Sequence, residues 1–135
     1  MRESCYTLAI KALKHDSAAY AALQKRFQDH PGWIIACDFD GTLCRSAWPD
    51  IGKANEWVIQ ALKLCMDLGA RAILWTCREY SAKDAAVTWC ALRGLYFTAV
   101  NENPQDIIDT FGLSSRKIYA DEYWDDKAVI PEREA

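Results

Sequence analysis

Two short helices are predicted before a turn at Pro31-Gly32. Apolar residues recur there at helical spacing in two stretches, which a polar break at Asp16-Ser17 separates. The residues that share a face are Tyr6, Ala9, Ile10 and Leu13 in the first stretch, and Tyr20, Leu23 and Phe27 in the second. We therefore expect residues 1–31 to form an N-terminal helical extension.

Four later segments read as β-strands. The runs W-I-I-A-C at 33–37, R-A-I-L-W-T at 71–76 and L-Y-F-T-A-V at 95–100 are almost continuously apolar. Such runs are typical of strands that are covered on both faces. A shorter stretch, A-D-E-Y-W at 120–124, predicts a last strand that leads into two further acids.

Three helices are predicted between these strands. Apolar residues recur at helical spacing over Lys53–Leu68, and Gly69 is suited to end that helix in a left-handed conformation. Ser81 and Asp84 resemble a capping box at the start of the second helix. Asn103-Pro104 predicts an N-cap and a first-turn proline for a short third helix that ends before residue 112.

The alternation of strands and helices predicts the fold class. Strand–helix–strand units favour right-handed crossovers and a mainly parallel sheet with helices on both faces. We therefore expect an α/β protein with a three-layer, Rossmann-like architecture. The expected organisation is a helical extension at 1–31, an α/β core at 32–128 and a polar tail at 129–135.

Composition narrows the class of protein. A chain of 135 residues that is 51% hydrophobic is of ordinary size for one domain. No apolar run approaches the roughly 20 residues that a membrane span needs, so we expect a cytoplasmic protein without a membrane partner. The net charge is −3 and the basic residues are scattered, which disfavours a nucleic-acid partner. The sequence is compatible with either a monomer or a homo-oligomer.

The stretch C-D-F-D-G-T-L-C at 37–44 presents both thiols and carboxylates as candidate chemistry. The chain has six cysteines but no C-x-x-C spacing, and its two histidines lie far from any cysteine pair. Free cysteine often behaves as a small buried hydrophobe. We therefore expect reduced cysteines that pack in the core, and we assign the chemistry to the aspartates.

Polar side chains follow three of the predicted strands: Asp38 and Asp40, then Thr76, then Asp125 and Asp126. Ligands of open parallel sheets bind at the carboxyl ends of strands, so these groups are expected to meet at one site. If the chain stays extended after the first strand, Asp38 and Asp40 point the same way. Carboxylates this close repel one another unless a cation neutralises them, and a set of oxygen ligands favours Mg²⁺.

Four motifs resemble those of the haloacid dehalogenase (HAD) superfamily. D-F-D-G-T-L is similar to its D-x-D-x-T signature, and T-C-R-E resembles its second motif. Lys117 stands where the third motif has a lysine. R-K-I-Y-A-D-E-Y-W-D-D-K-A resembles the acidic fourth motif of small capless HAD phosphatases. The motifs occur in order between residues 33 and 128.

The resemblance implies a phosphatase that works through an aspartyl-phosphate. In that family's mechanism Asp38 would be the nucleophile, and Asp40 would be the general acid and base. Thr76 and Lys117 would bind the phosphate.

The resemblance also implies a Mg²⁺ site. Asp125 would bind the ion together with the Asp38 carboxylate and the Asp40 backbone carbonyl. Asp126 would bind through water or orient the site. Arg116 is a second candidate for the cationic role of Lys117, and Asp121 is a weaker candidate for the acidic one.

This chain departs from the family pattern at two positions: Ile118 follows the motif lysine in place of the common proline, and Trp124 precedes the paired acids. The gaps between motifs leave no room for a cap domain, so we expect an open site. Trp48 lies in the loop after the first strand, where the family has a flap. Either contact with substrate or packing at a hinge would explain this aromatic residue.

Three functions fit these residues. The first is a Mg²⁺-dependent phosphomonoester hydrolase that acts on a phosphorylated substrate, which the intact Asp38–Asp40 pair favours. The second is a non-catalytic HAD-like module that binds a phosphorylated partner. The third is a phosphatase that acts on polynucleotide ends, which the acidic net charge disfavours.

Overall fold

A computed structural model of the protein describes residues 2–132. Within this range the chain forms five helices and six strands. In chain order they are α1 (Cys5–Leu13), α2 (Ser17–Asp29), β1 (Ile34–Cys37), β2 (Cys44–Ala47), β3 (Asp50–Ala54), α3 (Glu56–Asp67), β4 (Arg71–Leu74), α4 (Tyr80–Ala91), β5 (Ala99–Val100), α5 (Gln105–Phe111) and β6 (Glu122–Trp124). Met1 and residues 133–135, the last part of the predicted polar tail, lie outside the described residues.

Four parallel strands form the main sheet, in the order β5-β4-β1-β6. The central strand β1 is buried along its whole length and pairs with β4 on one side and with β6 on the other. This arrangement confirms the expected Rossmann-like α/β fold. Between residues 2 and 132 the structure shows no further inserted domain.

Alternate residues of β1 face two apolar clusters. Ile35 and Cys37 lie in the larger cluster, which also contains buried residues of α1, α2, α3 and α4. Ile34 and Ala36 belong to a smaller cluster with Ile118, against which Ile107 of α5 packs. Helices thus cover both faces of the sheet, but unequally.

The N-terminal helices are fastened to the edge strand β6. The backbone N–H of Cys5 donates to both carboxylate oxygens of Glu122, at 3.0 and 2.8 Å. Arg26 of α2 lies 3.8 Å from the same carboxylate. Helix α1 also packs against α2 and α3, so the extension is part of the fold's packing.

The main correction to the predicted elements lies between residues 44 and 56. The predicted helix from Lys53 begins only at Glu56, because residues 50–54 form strand β3 and pair with β2 as an antiparallel hairpin. We call this two-stranded unit, residues 44–54, the β2–β3 hairpin. It occupies the segment that was expected to be a loop.

Two predicted helix starts were also wrong. Helix α4 begins at Tyr80 after an N-cap at Glu79, so Ser81 lies inside the helix and does not cap it. The N-cap of α5 is Pro104. The side chain of Asn103 is instead buried, and its Oδ1 accepts the backbone N–H of Tyr119 at 2.7 Å.

Strand bounds differ from the prediction at four places. β1 begins at Ile34 rather than at residue 33, and β4 ends at Leu74 rather than at Thr76. The strand expected over 95–100 is confined to Ala99–Val100, and the last strand begins at Glu122 rather than at residue 120. Five of the six cysteines are free and buried, as expected; Cys77 is free and exposed. None of the helices in the described part of the chain is long and apolar enough to cross a membrane.

Candidate active site

Three predicted acids meet at the carboxyl ends of two adjacent strands. Asp38 follows β1 directly, and its backbone N–H donates to the carbonyl oxygen of Trp124, the last residue of β6, at 2.9 Å. This pairing places Asp38 next to Asp125 and Asp126. One carboxylate oxygen from each of these three residues lies within 4.8 Å of the other two.

Burial and mutual repulsion act on the nucleophile candidate. Partial burial raises the pKa of Asp38 from 3.8 to about 6, with a further upward contribution from the charges of Asp125 and Asp126. A hydrogen bond from the Thr42 hydroxyl, 3.1 Å from Asp38 Oδ2, acts in the opposite direction. The cluster therefore has an excess of negative charge that a divalent cation would relieve.

Gly41 and Thr42 bring Asp126 close to Asp38. Gly41 has a φ of 91°, and a Cβ added there would lie 2.8 Å from the Asp126 Cγ. Any larger residue would push the carboxylate away. The Thr42 hydroxyl oxygen accepts the backbone N–H of Asp126 at 3.1 Å while it donates to Asp38.

The Asp40 carboxylate has a different partner. The chain turns at Phe39, whose carbonyl oxygen accepts the N–H groups of Thr42 and Leu43, so the expectation of an extended path to Asp40 was wrong. Asp40 Oδ2 and Oδ1 instead accept Nε–H and Nη2–H of Arg78, both at 2.8 Å. The carboxylate is not one of the three oxygens in the acidic cluster.

Arg78 also binds the turn of the β2–β3 hairpin. Its guanidinium donates to the carbonyl oxygens of Pro49, at 3.4 Å, and Asp50, at 2.9 Å. The guanidinium carbon lies 5.2 Å from the Phe39 ring centroid and 5.0 Å from that of Trp48. The Trp48 side chain is nevertheless 63% exposed, which leaves ring surface open to solvent next to Arg78.

Thr76 is held at the end of β4 by Asn101. The backbone N–H of Thr76 donates to Asn101 Oδ1 at 2.8 Å, and Asn101 Nδ2 donates to the Thr76 carbonyl at 2.9 Å. The Thr76 hydroxyl oxygen accepts the backbone N–H of Arg78 at 3.1 Å. This paired amide contact fixes the backbone from which the Thr76 hydroxyl projects.

Neither cationic candidate forms a described ion pair with the acidic cluster. Lys117 and Arg116 are exposed, and the Lys117 ammonium lies 5.7 Å from the centroid of the Tyr123 ring. Among the described residues no ion pair links Lys117 to an acid. Asp121 has a structural role, because its carboxylate accepts the Ile34 N–H at 2.8 Å and the Tyr119 hydroxyl at 3.1 Å.

An open cavity of about 830 Å³ adjoins the cluster on the side of β6. Asp125, Asp126 and Thr42 line one part of it, and Tyr6 of α1 and Val129 line another. Both aspartates are exposed. Ions and small molecules can therefore reach these carboxylates from solvent.

Arg78, Thr42 and Asn101 were missed as candidate site residues. Two of them stand inside motifs that were recognised, Thr42 in D-F-D-G-T-L and Arg78 in T-C-R-E, so the signal was present. Asn101 had a weaker one: it is a polar residue directly after a strand, which here has a φ of 56°.

Comparison with known proteins identifies one relative. No family model and no curated protein matches the chain. A solved structure of a conserved protein from Bacteroides thetaiotaomicron is 39% identical in sequence, with a TM-score of 0.65. The match covers 75% of this chain and 83% of that chain. The chain therefore belongs to the same protein family as this conserved Bacteroides thetaiotaomicron protein.

Proposed function

We propose that this chain is a HAD-type phosphatase, a Mg²⁺-dependent hydrolase of phosphomonoesters. One observation carries the proposal. At the carboxyl ends of two adjacent parallel strands, one carboxylate oxygen each of Asp38, Asp125 and Asp126 lies within 4.8 Å of the other two. A nucleophilic carboxylate beside two ligand carboxylates is what a metal-assisted attack on a phosphate dianion requires.

The donor set fits Mg²⁺. All three side chains offer carboxylate oxygens, the ligands that this hard cation prefers. The raised pKa of Asp38 indicates that the site without a cation disfavours full ionisation of its acids. When bound, Mg²⁺ would neutralise the acids and lower the repulsion between Asp38 and an incoming phosphate. The Asp38 and Asp125 carboxylates and the Asp40 backbone carbonyl would bind the ion. Asp126 would bind it through water or orient the site.

Asp38 and Asp40 divide the chemistry. An Asp38 carboxylate oxygen attacks phosphorus, which forms the aspartyl-phosphate bond as the ester P–O bond breaks, and Asp40 gives its proton to the departing oxygen. Asp40 then takes a proton from a water molecule, whose oxygen attacks the same phosphorus. The bond to Asp38 breaks, and inorganic phosphate leaves.

Thr76 and Lys117 stabilise the transferring phosphoryl group in this proposal. The paired hydrogen bonds with Asn101 hold the Thr76 backbone so that its hydroxyl can donate to a phosphate oxygen. Lys117 has an exposed side chain without an acidic partner among the described ion pairs, and in this proposal its ammonium contacts the bound dianion. The substrate is a phosphomonoester in an open site, and we place the reaction in the cytoplasm.

The test is Mg²⁺-dependent release of phosphate from p-nitrophenyl phosphate and a broad panel of phosphomonoesters. We expect wild type to be active, EDTA to abolish the activity, and Asp38→Asn to lower kcat by at least about 10³-fold because the nucleophile is lost. Asp67→Asn, an exposed acid at the end of α3, is the matched control and should retain full activity.

Two results would contradict the proposal. One is an inactive wild type across the whole panel with Mg²⁺ present. The other is an Asp38→Asn variant that turns over substrate at the wild-type rate. Tight binding of phosphorylated ligands by an inactive wild type would favour the binding-module alternative.

A further inference from the structure

Arg78 carries a buried charge that the proposed hydrolysis does not use. Its side chain is 2% exposed, although arginine is rarely buried to this extent without a specific partner. Burial of a guanidinium is tolerated only when its donors and its charge are matched. What surrounds Arg78 therefore indicates why it is there.

The guanidinium joins two parts of the site that are distant in sequence. Two of its N–H groups donate to the two carboxylate oxygens of Asp40, both at 2.8 Å. The guanidinium also donates to the carbonyl oxygens of Pro49 and Asp50 in the β2–β3 hairpin. The two contacts with Asp40 run side by side, one to each carboxylate oxygen, which fixes the plane of the carboxyl group. Arg78 thus holds Asp40 and the hairpin as one unit.

We infer that Arg78 is a positioning residue that orients Asp40 for proton transfer and locks the β2–β3 hairpin beside it. The inference rests on the proposed hydrolysis, in which Asp40 is the acid and base. The geometry explains why arginine is needed: only a planar fork can bind both carboxylate oxygens and still donate to two carbonyls. Lysine has the charge but not the fork.

Loss of this positioning has a distinctive kinetic consequence. Phenoxide is a poor leaving group that needs a proton from Asp40 as the ester bond breaks, whereas p-nitrophenoxide leaves readily without one. Because kcat/KM reports the first phosphoryl transfer, misplacement of Asp40 should lower it far more for phenyl phosphate than for p-nitrophenyl phosphate. A general loss of folded protein would lower both equally.

The experiment compares Arg78→Lys with wild type on these two esters. We expect kcat/KM to fall about 100-fold for phenyl phosphate and by less than about tenfold for p-nitrophenyl phosphate. The fall should lie in kcat, with KM nearly unchanged. Arg71→Lys is the matched control, because Arg71 pairs with Asp106 from the start of β4, at the opposite end of that strand. It should behave as wild type.

A second measurement does not depend on turnover or on the stability of an Arg78 variant. Asp40→Asn removes the charge of Asp40 but keeps a side-chain oxygen that can still accept one Arg78 N–H, so the buried guanidinium retains a partner on this side. We expect faster amide hydrogen exchange across residues 44–54 in this variant, since Arg78 is held less firmly beneath the hairpin. Exchange in α1 should stay unchanged.

Failure of the inference about Arg78 can be distinguished from failure of the proposed hydrolysis. An active enzyme in which Arg78→Lys lowers both esters equally would overturn this inference and leave the proposed hydrolysis intact. Unchanged exchange over residues 44–54 in Asp40→Asn would overturn the coupling between hairpin and carboxylate. A wild type without activity on any ester would overturn the proposed hydrolysis and this inference with it.

Discussion

At the scale of single residues, Asp38 stands under two opposing demands. In the proposed mechanism Asp38 would be a nucleophile and a metal ligand, and both roles require an ionised carboxylate. Burial and two neighbouring acids instead raise the pKa of Asp38 to about 6. Without a cation, the folded protein therefore holds this carboxylate at a cost. Under the proposed mechanism, this loss of folding free energy would be the consequence of placing a nucleophile beside two other acids.

Because ionised Asp38 is unfavourable in the folded state, we predict that Asp38→Asn stabilises the metal-free protein. Because the folded-state pKa exceeds the unfolded value of 3.8, the contribution of Asp38 to stability is fully present below about pH 4 and is lost as pH rises through about 6. In EDTA at pH 7.5 we expect the variant to be more stable by about 1 kcal/mol, after a discount for the half-exposed position. Urea unfolding measures it.

The pH dependence supplies the control for this prediction. At pH 4.5 the difference in the free energy of unfolding between wild type and Asp38→Asn should shrink to about a third of its value at pH 7.5, because the wild-type carboxyl is then largely protonated in the folded state and still partly protonated in the unfolded state. An equal difference at pH 4.5 and 7.5 would show that the asparagine acts through packing and not through charge.

The residues of the cluster could be predicted, but those around Asp40 could not. Asp38, Asp125 and Asp126 each follow a strand, and parallel strands bring such positions together by topology alone. The partner of Asp40 depends on where Arg78 reaches and on carbonyls of the β2–β3 hairpin. Neither follows from hydrophobic periodicity.

At the scale of elements, strand β6 both leads into the acidic cluster and anchors the N-terminal helices. Its last residue and the two after it form one side of the acidic cluster, while Glu122 fastens the N-terminal extension. Its carboxylate accepts the Cys5 N–H twice, lies near Arg26, and accepts the Trp124 indole N–H at 3.1 Å. The same short strand therefore links α1 and α2 to the candidate active site.

Removal of this anchor should destabilise the protein. In Glu122→Ala the Cys5 N–H loses its acceptor, and the charge of Arg26, whose side chain is only 9% exposed, loses its counterion. Unsatisfied buried groups of this kind cost about 2 kcal/mol or more. We expect a loss of that size in the free energy of unfolding measured with urea.

Glu3→Ala is the matched control for Glu122→Ala. Glu3 pairs with Lys11 at the surface, where both side chains are about half exposed, so its removal should cost less than about 1 kcal/mol. Equal losses in the two variants would argue against the anchoring role of Glu122.

Element prediction failed where segments are short or polar. Only one residue of β2 is buried, and β3 has no fully buried one, so neither shows the alternation that marks a half-buried strand. The hairpin is stabilised from outside by the contacts of Arg78 with Pro49 and Asp50. The strongly apolar strands β1 and β4 were found for the opposite reason, because burial on both faces leaves a continuous apolar run, although β4 ends at Leu74 rather than at Thr76.

At the scale of the whole molecule, the parallel sheet turns separate short motifs into one site. β1 supplies Asp38, β6 leads to the other two acids, and β4 leads to Thr76 and Arg78. No single segment could hold a divalent cation alone. The proposed cation, bound across the ends of β1 and β6, would therefore act as a cross-link that exists only in the folded chain.

This cross-link predicts that Mg²⁺ raises the stability of the wild-type protein. A ligand that binds only the folded state adds about 2.7 kcal/mol when its free concentration is 100 times its dissociation constant. We expect the Tm to rise with MgCl₂ and to change little with NaCl at matched ionic strength. In Asp125→Asn the rise should disappear, because the cluster loses a ligand carboxylate, whereas Asp67→Asn should respond as wild type. Equal responses to MgCl₂ and NaCl would mean that the three carboxylates bind no cation, and the assignment of Asp38 as a metal-assisted nucleophile would fall with them.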